Sequence, residues 1–419
     1  MSPSNSSKTA IVVGGGIVGA SCALYLLREG FDCTLIEKDT PGQASSGGNA
    51  GNLGEASFVP IALPGLAWRL PKMMLDPNSP LIVRWQHFPV LLPWFLRFVL
   101  TSRRGKVTEI ASSLYAIMEH LMDAYRPLLQ MSDTDNLVQQ RGRLQVHESA
   151  AKFAGARFAI DMRRDYGIAA EDLTGDEARE LEPALGPNVY AAYHMPNAYM
   201  CADPSELVQS FARALVSNGG SLLCEEARRI EDVGDGRGRV ITDGSEHIAD
   251  AVVVAAGPWS TKLVEPLGVR VPIIPERGYH AMLSNDGIGL KTPITAGDRY
   301  VLMSPMQHGL RVSGVAEYAA IETPPDWRLV DRMIGHAKQL LPGLSDEDRV
   351  DWQGSRPSTP DNKPVIDRLK RFPWAYLAFG HGHVGMGTGA ITGRLISQLA
   401  AGREPAIDIS PFRHDRRYF

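Results

Sequence analysis

An α/β architecture is predicted from the 419-residue sequence by three observations. A glycine-rich turn lies between two short β-rich runs near the start. A wholly apolar strand-like run occurs far downstream, and alternating strand patterns fill the chain between that run and a last glycine-rich turn. Together they imply a parallel sheet assembled from separated stretches of chain, with an α+β part on a mostly antiparallel sheet inserted between them.

The first stretch is Thr9–Val13 (TAIVV), then a glycine turn, a helix-like run over residues 20–29, Gly30 as its cap, and a second β run over 33–37. This is one βαβ unit. Residues 101–135 read mainly as helix, 142–148 and 189–200 as strands, and Pro204–Ser217 as helix. Residues 251–256 (AVVVAA) are apolar at every position, the mark of a strand buried on both faces. Strands alternate over 272–318 with a hairpin at 307–309, and a glycine-rich turn leads into a helix over 389–400. No internal repeat or low-complexity run interrupts this order.

Composition narrows the classes of function. The net charge is -4, which gives no basic field for nucleic acid. The four cysteines, Cys22, Cys33, Cys201 and Cys224, form no CxxC and lie in no His-rich neighbourhood, so neither a zinc site nor a disulfide framework is indicated. The opening MSPSNSSKTA has no apolar core, so it reads as a lead-in rather than a signal peptide, and a cytoplasmic location is expected. The most apolar stretch, 88–100 (FPVLLPWFLRFVL), is broken by Pro89, Pro93 and Arg97 and is too short to span a bilayer. Two readings of it stay open: a core segment of a substrate-binding part, or a surface resting peripherally on a membrane or partner.

The turn itself carries chemistry. In GGGIVG, Gly14 permits a tight turn, Gly16 lets backbone N–H groups approach a pyrophosphate, and Gly19 allows close helix packing. The helix N-terminus behind it favours negative charge. Glu37, at the end of the second β run, can accept from ribose hydroxyls and would repel a 2′-phosphate. Strand, turn, helix, strand and acid together point to a dinucleotide but do not separate FAD from NAD.

Further segments decide between them. The flavin-type loop ASSGGNAGNL from Ala44, VVVAAGPWS from Val252, GSRPSTPDNKPVI and FGHGHVGMGTGAITGRLI follow GGGIVG in that order. In this set the chain resembles the D-amino-acid oxidase superfamily of FAD-dependent oxidoreductases, most like bacterial D-amino-acid dehydrogenases and glycine oxidases. The resemblance implies a Rossmann-like FAD-binding domain over 8–75, 196–271 and 346–419, and a substrate-binding domain over 76–195 and 272–345. It places Ile17 and Val18 at the pyrophosphate turn, Glu37 and Lys38 near the ribose, and Ser45, Ser46, Ala50, Gly51 and Asn52 along the flavin. Ala227 falls where the family uses a backbone contact to adenine, though valine is usual there. His381, Gly382, His383, Val384, Gly385, Met386 and Gly387 are implied to pass beside the flavin ring. No cysteine matches the site where monomeric sarcosine oxidases attach flavin, so non-covalent FAD is expected.

For substrate, Arg356 in GSRPSTPD matches the arginine that grips a carboxylate in glycine oxidases, and a planar guanidinium suits that task. Tyr300 matches a tyrosine that bonds the same carboxylate. His383 stands where glycine oxidases carry arginine and reads as a polar wall or a proton acceptor. His280 and Arg311 are further candidates on strands. The implied reaction is dehydrogenation of a Cα–N bond, the Cα hydrogen passing to flavin N5 without a strong general base, and the imine then hydrolysing. The expected substrates are D-amino acids, extending to cyclic imino acids such as D-proline derivatives, with a quinone or other acceptor taking the electrons. Alternatives are a glycine- or sarcosine-type oxidase that uses oxygen, and a flavin-containing subunit without turnover.

Overall fold

A computed structural model describes residues 7–76, 79 and 81–417. The first residues of the lead-in lie outside them. Six strands form the dinucleotide-type sheet, in the order Val365–Arg368, Ala375–Phe379, Ala251–Val254, Thr9–Val13, Asp32–Glu37, Ser221–Cys224. All pairs are parallel except the first. The strands thus come from three distant parts of the chain, as expected for a discontinuous α/β region.

Side-chain alternation explains why the central strands are apolar throughout. Ala10 and Val12 join one core with helices Ile17–Arg28 and Gly385–Ala400, while Ile11 and Val13 join a second core on the other face with Val252, Val254 and Trp374. Helices Arg104–Met118 and Leu121–Ser132 pack into the first core. The inserted α+β part is built on a nine-stranded, mostly antiparallel sheet among the described residues.

Several boundaries differ from the sequence expectation for local reasons. The first helix begins at Ile17 rather than residue 20, because extended Gly16 ends the turn there. The last helix begins at Gly385 rather than 389. Its GMGTG start has poor intrinsic propensity, and packing overrides it. The run 189–200 divides into Ala191–Met195 and Tyr199–Cys201 around a turn at Pro196 and Asn197, since proline has no N–H for the ladder. The apolar stretch 88–100 is a helix, Phe88–Thr101, with two apolar faces. Leu91, Trp94, Phe95 and Phe98 are buried, whereas Leu92, Leu96 and Leu100 are exposed. No helix of the described residues is long and apolar enough to cross a membrane.

The first and last helices approach so closely that glycine is required between them. A Cβ on Gly393 would lie 2.7 Å from the backbone of Ser21, whereas one on exposed Gly335, in helix Arg328–Leu340, would meet nothing within 4 Å. Gly393→Ala is therefore expected to cost roughly 1–3 kcal/mol by overpacking. Gly335→Ala should instead stabilise by about 0.4–1 kcal/mol through reduced unfolded-chain entropy. Denaturant unfolding of the two variants checks this, and shifts of the same sign would contradict the packing account.

Candidate active site

A cleft runs from the glycine turn along the carboxyl ends of the parallel strands. Gly14 has φ +109°, and a Cβ there would lie 2.5 Å from the Ala255 carbonyl oxygen. A Cβ on Gly19 would lie 1.8 Å from Gly14 O, so this glycine serves helix packing. Gly14, Gly16, Ile17, Val18, Glu37, Lys38, Ser45 and Ser46 line the cleft, as do Ala227, His381, Gly382, Gly385 and Met386. The Ile17 N–H points at an oxygen, Ser46 Oγ, at 3.0 Å, so the helix N-terminus presents a donor to an acceptor at this place. The Glu37 carboxylate accepts from Gly15 N–H at 2.6 Å, and Lys38 Nζ stands 4.5 Å from the centre of the Trp259 ring. A carboxylate beside the turn, a helix N-terminus and a backbone kept bare by glycine fit a dinucleotide. No cysteine lines the cleft.

The inserted sheet meets this cleft through hydrogen bonds to the loop that follows Ala44. Ser45 Oγ donates to Ser355 O, and Arg311 donates to Gly47 O and Asn49 O. His280 Nδ1 lies 3.3 Å from Gly48 O, and its ring stacks on Trp352 with centroids 4.8 Å apart. Burial, and then the charge of Arg311, push the His280 imidazole down to about 3. His280 and Arg311 are thus engaged in holding the loop, a use that strand position alone does not reveal. Ala50 and Asn52 face a separate small cavity beside Met200, and Gly51 O accepts from Cys201 N–H.

Arg356 lies at the centre of a network that the sequence reading missed. Glu276 is paired across the sheet with Arg356 on one side and Tyr318 on the other, so the three residues share a row. Residues directly opposite on neighbouring strands point to the same face. Glu276 Oε1 accepts from Arg356 Nη1 at 3.3 Å and lies 2.6 Å from His383 Nε2, and its Oε2 accepts from Ser358 Oγ at 2.8 Å. Burial, and then the charge of Glu276, raise the pKa of the neighbouring Tyr318 phenol. Burial opposes ionisation of this carboxyl, yet His383, Arg356 and Ser358 outweigh it and hold Glu276 down to about 2. The guanidinium lies over Gly278, where a Cβ would come within 2.4 Å of it. Gly354, opposite Gly278, is covered by Trp352. The two glycines thus leave room for Arg356 and Trp352 to lie across the sheet, with His383 beside the first and His280 stacked on the second.

Three further candidates are placed as follows. Tyr300 is half exposed, has φ +55°, and lines a different surface cavity with Lys72, Glu148 and Lys152. The structure therefore does not bring it to Arg356; Tyr318 is the phenol in that network. Val384 is buried, and a Cβ on Gly387 would meet Leu121, so these two serve packing at the start of the last helix.

Comparison with known proteins agrees with this geometry. The chain belongs to the DAO family, FAD dependent oxidoreductase, which matches residues 9–399. It is 33% identical to a D-amino-acid oxidase of Bradyrhizobium diazoefficiens over 412 residues, covering 97% of this chain and 98% of that one. It is 31% identical to D-amino acid dehydrogenase 2 of Ralstonia nicotianae over 427 residues, covering 96% and 98%. Among solved structures it resembles a glycine oxidase from Geobacillus kaustophilus, with a TM-score of 0.76, 22% identity and coverage of 98% and 100%. The cofactor of the cleft is FAD, held without a covalent bond, and the protein is an oxidoreductase acting on amino acids.

His381, which lines the cleft, turns its ring inward, with Nε2 3.0 Å from Thr392 Oγ1, and burial lowers its pKa to about 3. The folded state then binds fewer protons than the unfolded state between about pH 6.5 and about 3. Its stabilising contribution is complete above the unfolded value and declines as pH falls. From pH 7 to pH 5 the holoenzyme should lose on the order of 2 kcal/mol of stability on this account. His381→Gln should remove that part of the loss, measured by unfolding at fixed FAD concentration. An equal pH dependence in parent and variant would contradict it.

Proposed function

We propose that this member of the DAO family dehydrogenates the Cα–N bond of D-amino acids, extending to cyclic imino acids, and passes the electrons to an acceptor other than oxygen. The observation that carries the reading is the position of Arg356 and His383 about one buried carboxylate, next in the chain to Pro357 and Gly382, which line the cleft. Bound FAD supplies the two-electron acceptor that takes the Cα hydrogen. The protein's part is to bind, orient and adjust protonation.

Arg356 receives the substrate carboxylate, and its position over Gly278 sets where Cα stands. The charge balance gives His383 its role. The charge of Arg356 is already offset by Glu276, so a bound carboxylate adds a negative charge to a half-buried site. A protonated imidazole offsets it. Because Nε2 of His383 faces Glu276 Oε1, its free nitrogen is Nδ1. We assign Nδ1 as the acceptor of the proton released by the substrate ammonium, with Glu276 stabilising the imidazolium as a carboxylate does behind a catalytic histidine. The amine then reaches the neutral form from which Cα–N dehydrogenation proceeds.

The acceptor admits two readings. Relatives named as D-amino acid dehydrogenases support a quinone-type acceptor, while the relative named as an oxidase supports oxygen. The first is preferred because helix Phe88–Thr101 exposes an apolar face. Reduced enzyme is accordingly expected to pass electrons to a quinone or dye much faster than to oxygen. Stopped-flow reoxidation decides this, and peroxide formation matching substrate loss, as fast as with any artificial acceptor, would overturn it.

Replacing Arg356 by Leu should leave FAD bound and lower kcat/KM for amino acids by about a hundredfold to a few thousandfold, about 3–5 kcal/mol. Lys should restore only part, since a point charge lacks the planar fork. A simple amine without a carboxylate should be nearly indifferent to either change. Turnover of D-amino acids by Arg356→Leu within about threefold of the parent, below about 0.7 kcal/mol, would make the arginine structural.

A further inference from the structure

The exposed face of helix Phe88–Thr101 has a composition of its own. Leu92, Leu96 and Leu100 recur every four residues and form one outward stripe, opposite the buried Leu91, Trp94, Phe95 and Phe98. Helix Leu66–Leu75 packs into the same small core through Leu66 and Leu70 and turns Trp68 and Leu75 outward, Trp68 being 90% exposed. An apolar surface of this kind on a chain of net charge -4 calls for an occupant.

Charge identifies the occupant. Between Asp76 and Glu109 the sequence has no acidic residue and five basic ones, Arg84, Arg97, Arg103, Arg104 and Lys106. Arg84 is taken up by Glu317 and Asp326, and Lys106 by Glu109. Arg97, Arg103 and Arg104 are exposed, as is Arg69 beside Trp68, and among the described residues none of these four has an ion-pair partner. Exposed leucines and a tryptophan on helices that also carry or adjoin unpaired arginines match a lipid surface, where acyl chains lie beneath anionic headgroups. A second copy of this chain matches poorly, because a two-fold contact would set the same arginines against one another.

We infer that helices Leu66–Leu75 and Phe88–Thr101 dock this protein, lying in the plane of the interface, on a membrane that contains anionic phospholipid. The contact is placed to serve catalysis. On its inner side the docking helix reaches the substrate strand, where Trp94 Nε1 donates to Ser358 O at 3.2 Å, and Ser358 in turn donates to Glu276. The substrate network and the lipid-facing stripe are thus opposite sides of one helix. Docking by itself is independent of which amino acid is oxidised; its use in electron transfer rests on the acceptor proposed above.

Flotation of the holoenzyme with vesicles tests docking without turnover. Vesicles with about one third phosphatidylglycerol in phosphatidylcholine should carry the protein at low salt, and raised salt should weaken binding as the Debye length shortens. Phosphatidylcholine alone should carry at least about tenfold less. Leu92→Ser with Leu96→Ser, and separately Arg103→Gln with Arg104→Gln, should each lower binding several-fold, with dye-linked turnover in solution within about twofold of the parent. The inference is overturned by absence of binding to anionic vesicles, by equal binding to neutral ones, or by variants that bind as the parent does. It is equally overturned if the parent is a dimer in solution that the leucine variants dissociate, since the face would then join two copies.

Discussion

The substrate side of this protein depends on one buried carboxylate. Glu276 is only 2% exposed, so its ionised form is sustained by Arg356, His383 and Ser358 around it. The dependence is mutual. Without Glu276 the guanidinium would lose the contact that keeps it over Gly278, and the imidazole would lose the acceptor that orients it. Three strands and the turn before the last helix are drawn to this point, so the geometry of the anchor is a property of the whole sheet rather than of a loop.

The same logic joins the two halves of the molecule. The loop after Ala44 belongs to the dinucleotide side, yet its carbonyl groups are held from the inserted sheet by Arg311 and His280, and Ser45 reaches back to Ser355. Buried carbonyls must find donors. By supplying them from the inserted sheet, the fold ties the loop after Ala44, which lines the cleft, to the strand that carries Arg356.

The dinucleotide half was legible because its signals are local. The β runs around GGGIVG, the acid at Glu37 and the apolar strand at Ala251–Val254 each report on a stretch of a few residues, and the structure places them where the pattern implies. The substrate half was legible only in part. Arg356 was found through a motif, but Glu276 in IPERGYH looks like any solvated strand residue until pairing with strands about 40 and 80 residues away buries it. Tyr300 shows the converse: its motif was readable, but its positive φ at a strand end, which turns it to another cavity, was not. The stretch 88–100 had two readings: the core reading holds for the buried face of the helix, and its outward face, with Leu92, Leu96 and Leu100, is the surface on which the docking inference rests.

The central claim is that a substrate carboxylate, gripped beside Glu276, presents Cα to the cofactor. Anaerobic mixing of the holoenzyme with a panel of D-amino acids, their L-enantiomers, glycine, sarcosine, D-proline and matched amines without a carboxylate tests it most directly, read as bleaching of the flavin absorbance. The account predicts fast bleaching by D-amino acids or cyclic imino acids and little or none by the carboxylate-free amines. Bleaching by those amines at rates equal to their amino-acid counterparts would contradict it.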